Sequence, residues 1–139
     1  MTPEQIDLVQ TSWAKVEPIA DQAAALFYGR LFELDGSLRP LFTSDMTAQG
    51  RKLTAMINSA VANLGNLGAV LPAVQALARR HVGYGVKPAH YGTVGAALLW
   101  TLEKELADDF TAATKEAWAK AYGTLAEVMQ NEHMAADEL

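Results

Sequence analysis

The chain offers three imidazoles, His81, His90 and His133, and no cysteine. Without Cys there is no disulfide framework, thiolate zinc site, iron–sulfur cluster or cysteine nucleophile. No two His share a helical face at i, i+4, and no H-E-x-x-H, G-x-S-x-G, Walker loop or G-x-G-x-x-G occurs. Gly83-Tyr84-Gly85 lacks a third glycine and follows a helical pattern. Hydrolysis, nucleotide-driven work and self-contained hydride transfer therefore have no residues to act through. His81 is what remains. It ends an apolar stripe of Val74, Leu77 and Ala78, and Arg79 and Arg80 precede it. A neutral imidazole facing an apolar space is what haem iron requires of an axial ligand. A structural His complementing the dipole at a helix C-terminus fits the same place, and taken alone the residue favours that plainer role.

The elements that position this imidazole are helical. The chain has 139 residues, half of them apolar, and a formal net charge of −5. That length suits one domain over residues 1–139, able to bury roughly two-thirds of its unfolded surface. Alanine abounds and no period-2 strand pattern runs for a useful length, so an all-α class is expected. Thr2-Pro3-Glu4-Gln5 is a capping box with proline at the first helical position. Ile6, Val9, Trp13 and Val16 then mark one helical face. Pro18 and Asp21 start a second helix, lined by Leu26, Phe27, Leu31 and Leu34, which stops near Asp35-Gly36. A short piece runs from Ser37 to Phe42, and Thr43-Ser44-Asp45 reads as loop or cap. Leu53, Met56, Ile57, Ala60 and Leu64 line a third helix, broken by Gly65-Asn66-Leu67-Gly68.

Pro72 falls in the first turn of the helix that carries His81, where its missing N–H costs nothing. Gly83-Tyr84-Gly85 ends that helix. Lys87-Pro88 opens the next, with Tyr91, Val94, Leu98 and Leu102 on one face. Asp108-Asp109-Phe110-Thr111 closes it and caps the last helix, which runs through Trp118, Tyr122, Leu125 and Val128 to a polar tail after Met134. The expectation is six substantial helices and one short one. The acidic balance argues against a nucleic-acid partner. The longest apolar run, from Val94 to Trp100, is too short to cross a bilayer. The first residues have no basic stretch feeding an apolar run, so a cytoplasmic protein without a secretory signal is expected.

Five motifs run in order: Arg39-Pro40-Leu41-Phe42, Gln49-Gly50-Arg51-Lys52-Leu53, Arg80-His81 with Gly85-Val86, His90-Tyr91 with Val94-Gly95, and Ala117 through Gly123. Together with the helix plan they resemble the globin family. The likeness is strongest to bacterial single-domain globins related to flavohaemoglobin haem domains and to neuroglobins, and it covers Thr2 to about Glu132. The resemblance implies a globin fold around haem b with His81 as the iron ligand. It implies Phe42 stacked on the porphyrin, Tyr28 and Gln49 as distal hydrogen-bond donors, and Leu53 over the gas ligand. It implies further that Leu77, Val86, Val94 and Leu98 wall the cavity and that Lys52 and Arg80 pair with the propionates. Tyr91 and a late Glu resemble the proximal network of flavohaemoglobins. Counted from Trp118, that Glu comes one residue early, at Glu132, and His133 takes its usual place. One residue turns a helix by about 100°, so the network is absent or rebuilt.

The distal pair carries a functional expectation. Two donors facing a gas whose outer oxygen carries partial negative charge slow its release. Such a globin binds dioxygen tightly, takes nitric oxide and carbon monoxide, and suits nitric oxide dioxygenation with an external reductase. The alternative is a gas sensor acting through a partner protein. Gln49 is a poor iron ligand, so a five-coordinate or water-bound resting state is expected. With no exposed apolar stripe in the pattern, a monomer or weak homodimer is expected.

Overall fold

A computed structural model describes residues 1–42, 45–69, 71–76 and 90–138, with the backbone alone for Leu67 and 131–138. The described residues are almost entirely helical, with no strand among them. Helix α1 spans Pro3–Val16, and its capping box forms as the sequence predicts. Gln5 N–H donates to Thr2 Oγ1 at 3.1 Å and Thr2 N–H donates to the Gln5 side chain at 3.0 Å. A 3₁₀ turn, Glu17–Ile19, leads into α2, Ala20–Leu34. The short piece is a 3₁₀ helix, Gly36–Leu41, started by the Asp35 carboxylate, which accepts from Ser37 N–H. Helix α3, Met46–Ala62, is capped by Asp45 in the same manner. Helix α4 covers 71–76 with Pro72 in its first turn. Helix α5 is His90–Leu106 and α6 is Ala112–Glu138.

Four details differ from the sequence pattern. Helix α3 ends at Ala62, so Leu64 belongs to a 3₁₀ segment, Leu64–Ala69, kinked at Asn66. Leu64 is nonetheless buried. Met56 is 40% exposed, because the buried face of α3 is centred on Ala60 and Val61. Leu34, in the last turn of α2, is 43% exposed. The backbone stays helical past Met134 to Glu138, since Ala135, Ala136 and Glu138 are strong helix formers. The expected opening at Lys87-Pro88 lies outside the described residues.

Helix α1 packs on α6, and α2 packs on both α5 and α3. The α1–α6 core holds Val9, Val16, Leu102, Ala117 and the pair Trp13–Trp118, edge to face at 6.2 Å. Its polar atoms are paired. Trp118 Nε1 donates to Ser12 Oγ at 2.8 Å, Ser12 Oγ donates to the Leu8 carbonyl at 2.7 Å, and Trp13 Nε1 donates to Asn58 Oδ1. Buried donors without partners would cost about 1–3 kcal/mol each, so these bonds let two tryptophans sit in the core. Two glycines set helix approach. A Cβ on Gly50 would lie 3.0 Å from Ala24 Cβ, which places α3 close on α2. A Cβ on Gly95 would lie 2.7 Å from Tyr122 Cε1, which seats the Tyr122 ring of α6 directly on α5.

Candidate functional site

Helices α2, α3 and α5 bring one set of the expected residues together. Tyr28 and Phe27 share the buried face of α2, with Leu31 one turn on, because i, i+3 and i+4 positions line one side. Asp35 turns the chain into the 3₁₀ helix, which delivers Phe42 at its end. Phe42 meets Tyr28 edge to face at 5.3 Å and Phe32 at 5.5 Å. Arg39 fixes this corner. Its Nη1 donates to the Phe42 carbonyl at 3.0 Å, and its guanidinium lies 5.4 Å from the centre of the Phe32 ring. From α3, Leu53 joins the same cluster, and from α5 come Val94, Leu98 and the fully buried Ala97. Phe42, Leu53, Val94 and Leu98 are each half-buried and so keep carbon surface uncovered.

The polar feature of this cluster is the Tyr28 phenol. Burial pushes its pKa above the usual value, and a hydrogen bond with the Gln49 side chain pulls weakly the other way. Gln49 of α3 thus stands near the Tyr28 phenol of α2. Leu53 follows Gln49 by one turn on α3, and these two positions share a face. Lys52 is exposed on the same helix. Leu77, Arg80, His81 and Val86 lie outside the described residues, as do the side chains of Glu132 and His133.

Tyr91 occupies a different neighbourhood. It is buried in the first turns of α5 among Val74 of α4 and Ala126 and Met129 of α6. Tyr122 Oη donates to the Tyr91 carbonyl at 2.5 Å. That anchor, and the stacking of Phe32 on Tyr28 at 6.1 Å, are absent from the sequence reading. Phe32 had a signal, four residues after Tyr28 on α2. The Tyr122 anchor had only the small residue Gly95 on an otherwise apolar face.

Three of the four tyrosines thus share a property. Burial raises the pKa of Tyr28, Tyr91 and Tyr122, the last also through its proximity to Tyr91. In the unfolded chain each phenol ionises near pH 10. Their protonated forms therefore support the fold fully below that pH, and the support is lost as pH rises beyond it. An alkaline titration followed at 295 nm is expected to show these three ionising above pH 10, together with the loss of helix by circular dichroism. Independent ionisation of all three near pH 10 with the helix intact would contradict the burial.

The globin family model matches residues 25–129, from the middle of α2 to the middle of α6. The chain belongs to the globin family. Membership implies haem binding and diatomic gas ligands. This globin is 31% identical over 131 residues to the flavohemoprotein of Vibrio cholerae and 30% identical over 133 residues to that of Xylella fastidiosa. The alignments cover 92% and 94% of this chain but 33% of each relative. The globin therefore spans about a third of the length of these curated relatives. Among solved structures, a bacterial globin from Campylobacter jejuni superposes with a TM-score of 0.87 at 27% identity, covering 99% of this chain and 100% of that one. The fold is the globin fold. Among the described residues no helix is long and apolar enough to cross a membrane.

Proposed function

We propose that this globin carries haem b on His81 and reversibly binds dioxygen, with nitric oxide and carbon monoxide as further ligands, at high oxygen affinity. The observation that carries this reading is the buried Tyr28 phenol near Gln49, inside an apolar cluster. The lining fits the cofactor. Phe42, Leu53, Val94 and Leu98 offer half-covered carbon surface from three elements, as a flat apolar ring system requires. When bound, the haem iron supplies the bond to the gas. The rest is done by this chain's own side chains. His81 would ligate the group, Leu77 and Val86 would help to wall it, and Lys52 and Arg80 would pair with its propionates. Tyr28 Oη keeps its proton at neutral pH, because burial opposes the phenolate, and so remains a donor. The Gln49 amide supplies a second donor. Leu53, one turn on, excludes water, so both donors act at low dielectric, where they are worth more than in water.

Slow release favours holding dioxygen for reaction over delivering it down a gradient. We place this protein in the cytoplasm as a nitric oxide dioxygenase that draws its electrons from a reductase. The product would be nitrate, and the reductase would return the one electron that each turnover consumes. The test is the absorption spectrum of the ferric, ferrous and oxygenated forms, followed by nitrate yield when nitric oxide, dioxygen and a reductase are supplied. A Soret band, a stable oxygenated spectrum and several equivalents of nitrate per haem are expected. No Soret band would remove the haem reading. Nitrate limited to one equivalent with the reductase present would move the protein to the sensor class.

A further inference from the structure

Arg39 opens the motif Arg39-Pro40-Leu41-Phe42, and the function proposed above gives it no part. Its side chain nevertheless ties together the corner after α2. Arg39 Nη1 donates to the Phe42 carbonyl at 3.0 Å, and Phe42 N–H donates back to the Arg39 carbonyl at 3.1 Å. Phe42 is already extended there (φ −104°, ψ 95°). Its carbonyl therefore stands outside the helical ladder and takes a donor from the guanidinium. The same guanidinium lies 5.4 Å from the centre of the Phe32 ring. Phe32 stacks on Tyr28 at 6.1 Å, with 27° between the planes. Phe42 stands edge-on to both, 5.5 Å from Phe32 and 5.3 Å from Tyr28. The three rings form a closed triangle with Tyr28 as its buried corner. Phe32 and Phe42 are half-buried and Arg39 is exposed. One surface residue thus grips both outer corners, one through its backbone and the other through its ring face.

We propose that Arg39 is a positioning residue for the Tyr28 phenol, fixing from the protein surface where the distal donor stands. The inference rests on the function proposed above, in which Tyr28 donates to dioxygen, and it adds the residue that sets the donor's aim. The argument is one of freedom. A packed ring moves only as far as its neighbours allow. Tyr28 has two aromatic neighbours on its own helix, Phe27 and Phe32, and the helix holds those in place. Phe42 arrives instead on extended chain, where side-chain contacts must hold it. Arg39 ties that chain to Phe32, four residues after Tyr28 on α2. A guanidinium can do both because it is flat and carries its donors in a rigid fork. An ammonium is a compact charge without a plane to stack. Among the described residues no carboxylate lies within ion-pair distance of Arg39. Its charge is therefore left to these two contacts.

Arg39→Ala and Arg39→Lys are compared with Tyr28→Phe. The purified protein is labelled with 13C at tyrosine Cζ, and the Tyr28 resonance is the one missing from Tyr28→Phe. It is expected to shift in both Arg39 variants, because Phe32 and Phe42 bear on it. The Tyr91 and Tyr122 resonances, in a different cluster, are expected to stay. An unmoved Tyr28 resonance in Arg39→Ala overturns the proposal, and this readout needs no haem. Wild-type behaviour of Arg39→Lys overturns it as well, since charge alone would then suffice. In the ferrous protein, dioxygen release by stopped flow is expected to quicken about three- to tenfold in Arg39→Ala. Carbon monoxide release is expected to keep the wild-type rate. Adding Arg39→Ala to Tyr28→Phe should leave dioxygen release at the Tyr28→Phe rate, because Arg39 acts through that phenol. Dioxygen release unchanged by Arg39→Ala but quickened by Tyr28→Phe, equal quickening of both gases, or additive effects in the double variant would each overturn the proposal. If Tyr28→Phe itself leaves dioxygen release unchanged, the distal role of Tyr28 fails instead. The resonance then decides whether Arg39 positions the phenol.

Discussion

Replacing His81 with alanine is expected to abolish stable haem capture and the five-coordinate ferrous spectrum. The physical reason is the concentration of bonding in one atom. Apolar side chains such as Phe42, Leu53, Val94 and Leu98 hold a flat ring by area, and area does not fix an iron atom in place. A coordinate bond does, and in four-ligand metal sites each protein ligand contributes on the order of 3 kcal/mol. Losing the one ligand therefore weakens haem retention by roughly a hundredfold or more. The measurement is haem transfer to an excess of an apo-acceptor protein, followed at the Soret band. A His81→Gly variant makes the result specific. Free imidazole supplies the missing nitrogen, and it is expected to restore the ferrous spectrum without restoring the covalent tether. Wild-type transfer rates and an unaltered spectrum in His81→Ala would refute the assignment of His81.

The residues of the proposed distal side differ in how far sequence could place them. Gln49 belongs to a motif that resembles the globins, Tyr28 entered through the same family resemblance, and the Gln49 side chain stands near enough to the Tyr28 phenol to bear on its pKa. Leu53 came with the same resemblance, and helical geometry agrees with it, one turn after Gln49. Met56 was misplaced for a geometric reason. On a helix it lies about 60° to one side of Leu53, whereas Val61 lies about 80° to the other. A run of apolar residues at spacings of three and four gives the direction of a buried face only to within such angles. The packing of α2 and α1 against α3 then chose the Val61 side and left Met56 in solvent.

What sequence could not supply was the meeting of positions far apart in the chain. The bond from Tyr122 to the Tyr91 carbonyl depends on α5 and α6 crossing with Gly95 between them. Neither residue announces it, since a tyrosine on an apolar face reads as core. A groove beside Tyr28 is of the same kind. Ala24 and Ala25 line it against α3, which their residue type alone does not announce. The capping box at Thr2, by contrast, is a local device and forms as written.

Tyr28→Phe is expected to speed dioxygen release from the ferrous protein by roughly ten- to a hundredfold. A hydrogen bond to a charged acceptor contributes about 1.5–3 kcal/mol when buried, which converts to that range. Carbon monoxide carries little charge on its outer atom, so its release is expected to change less than threefold. That contrast separates a lost donor from a damaged pocket. Gln49→Leu alone should act in the same direction with a smaller effect, because Tyr28 keeps its proton and stays in place. The double variant should not show the sum of the two free-energy changes. Gln49 and Tyr28 are neighbours, so removing one alters the other, and such residues couple by about 0.5–3 kcal/mol. Acidity adds a further constraint. The Tyr28 pKa lies above its ordinary value through burial, so the donor form persists throughout the neutral range. Wild-type release of dioxygen, measured by stopped flow, should be independent of pH from 6 to about 10 and accelerate only where the phenol ionises. Equal release rates in wild type and Tyr28→Phe would leave slow release, and the reactive role built on it, without a cause in this pocket.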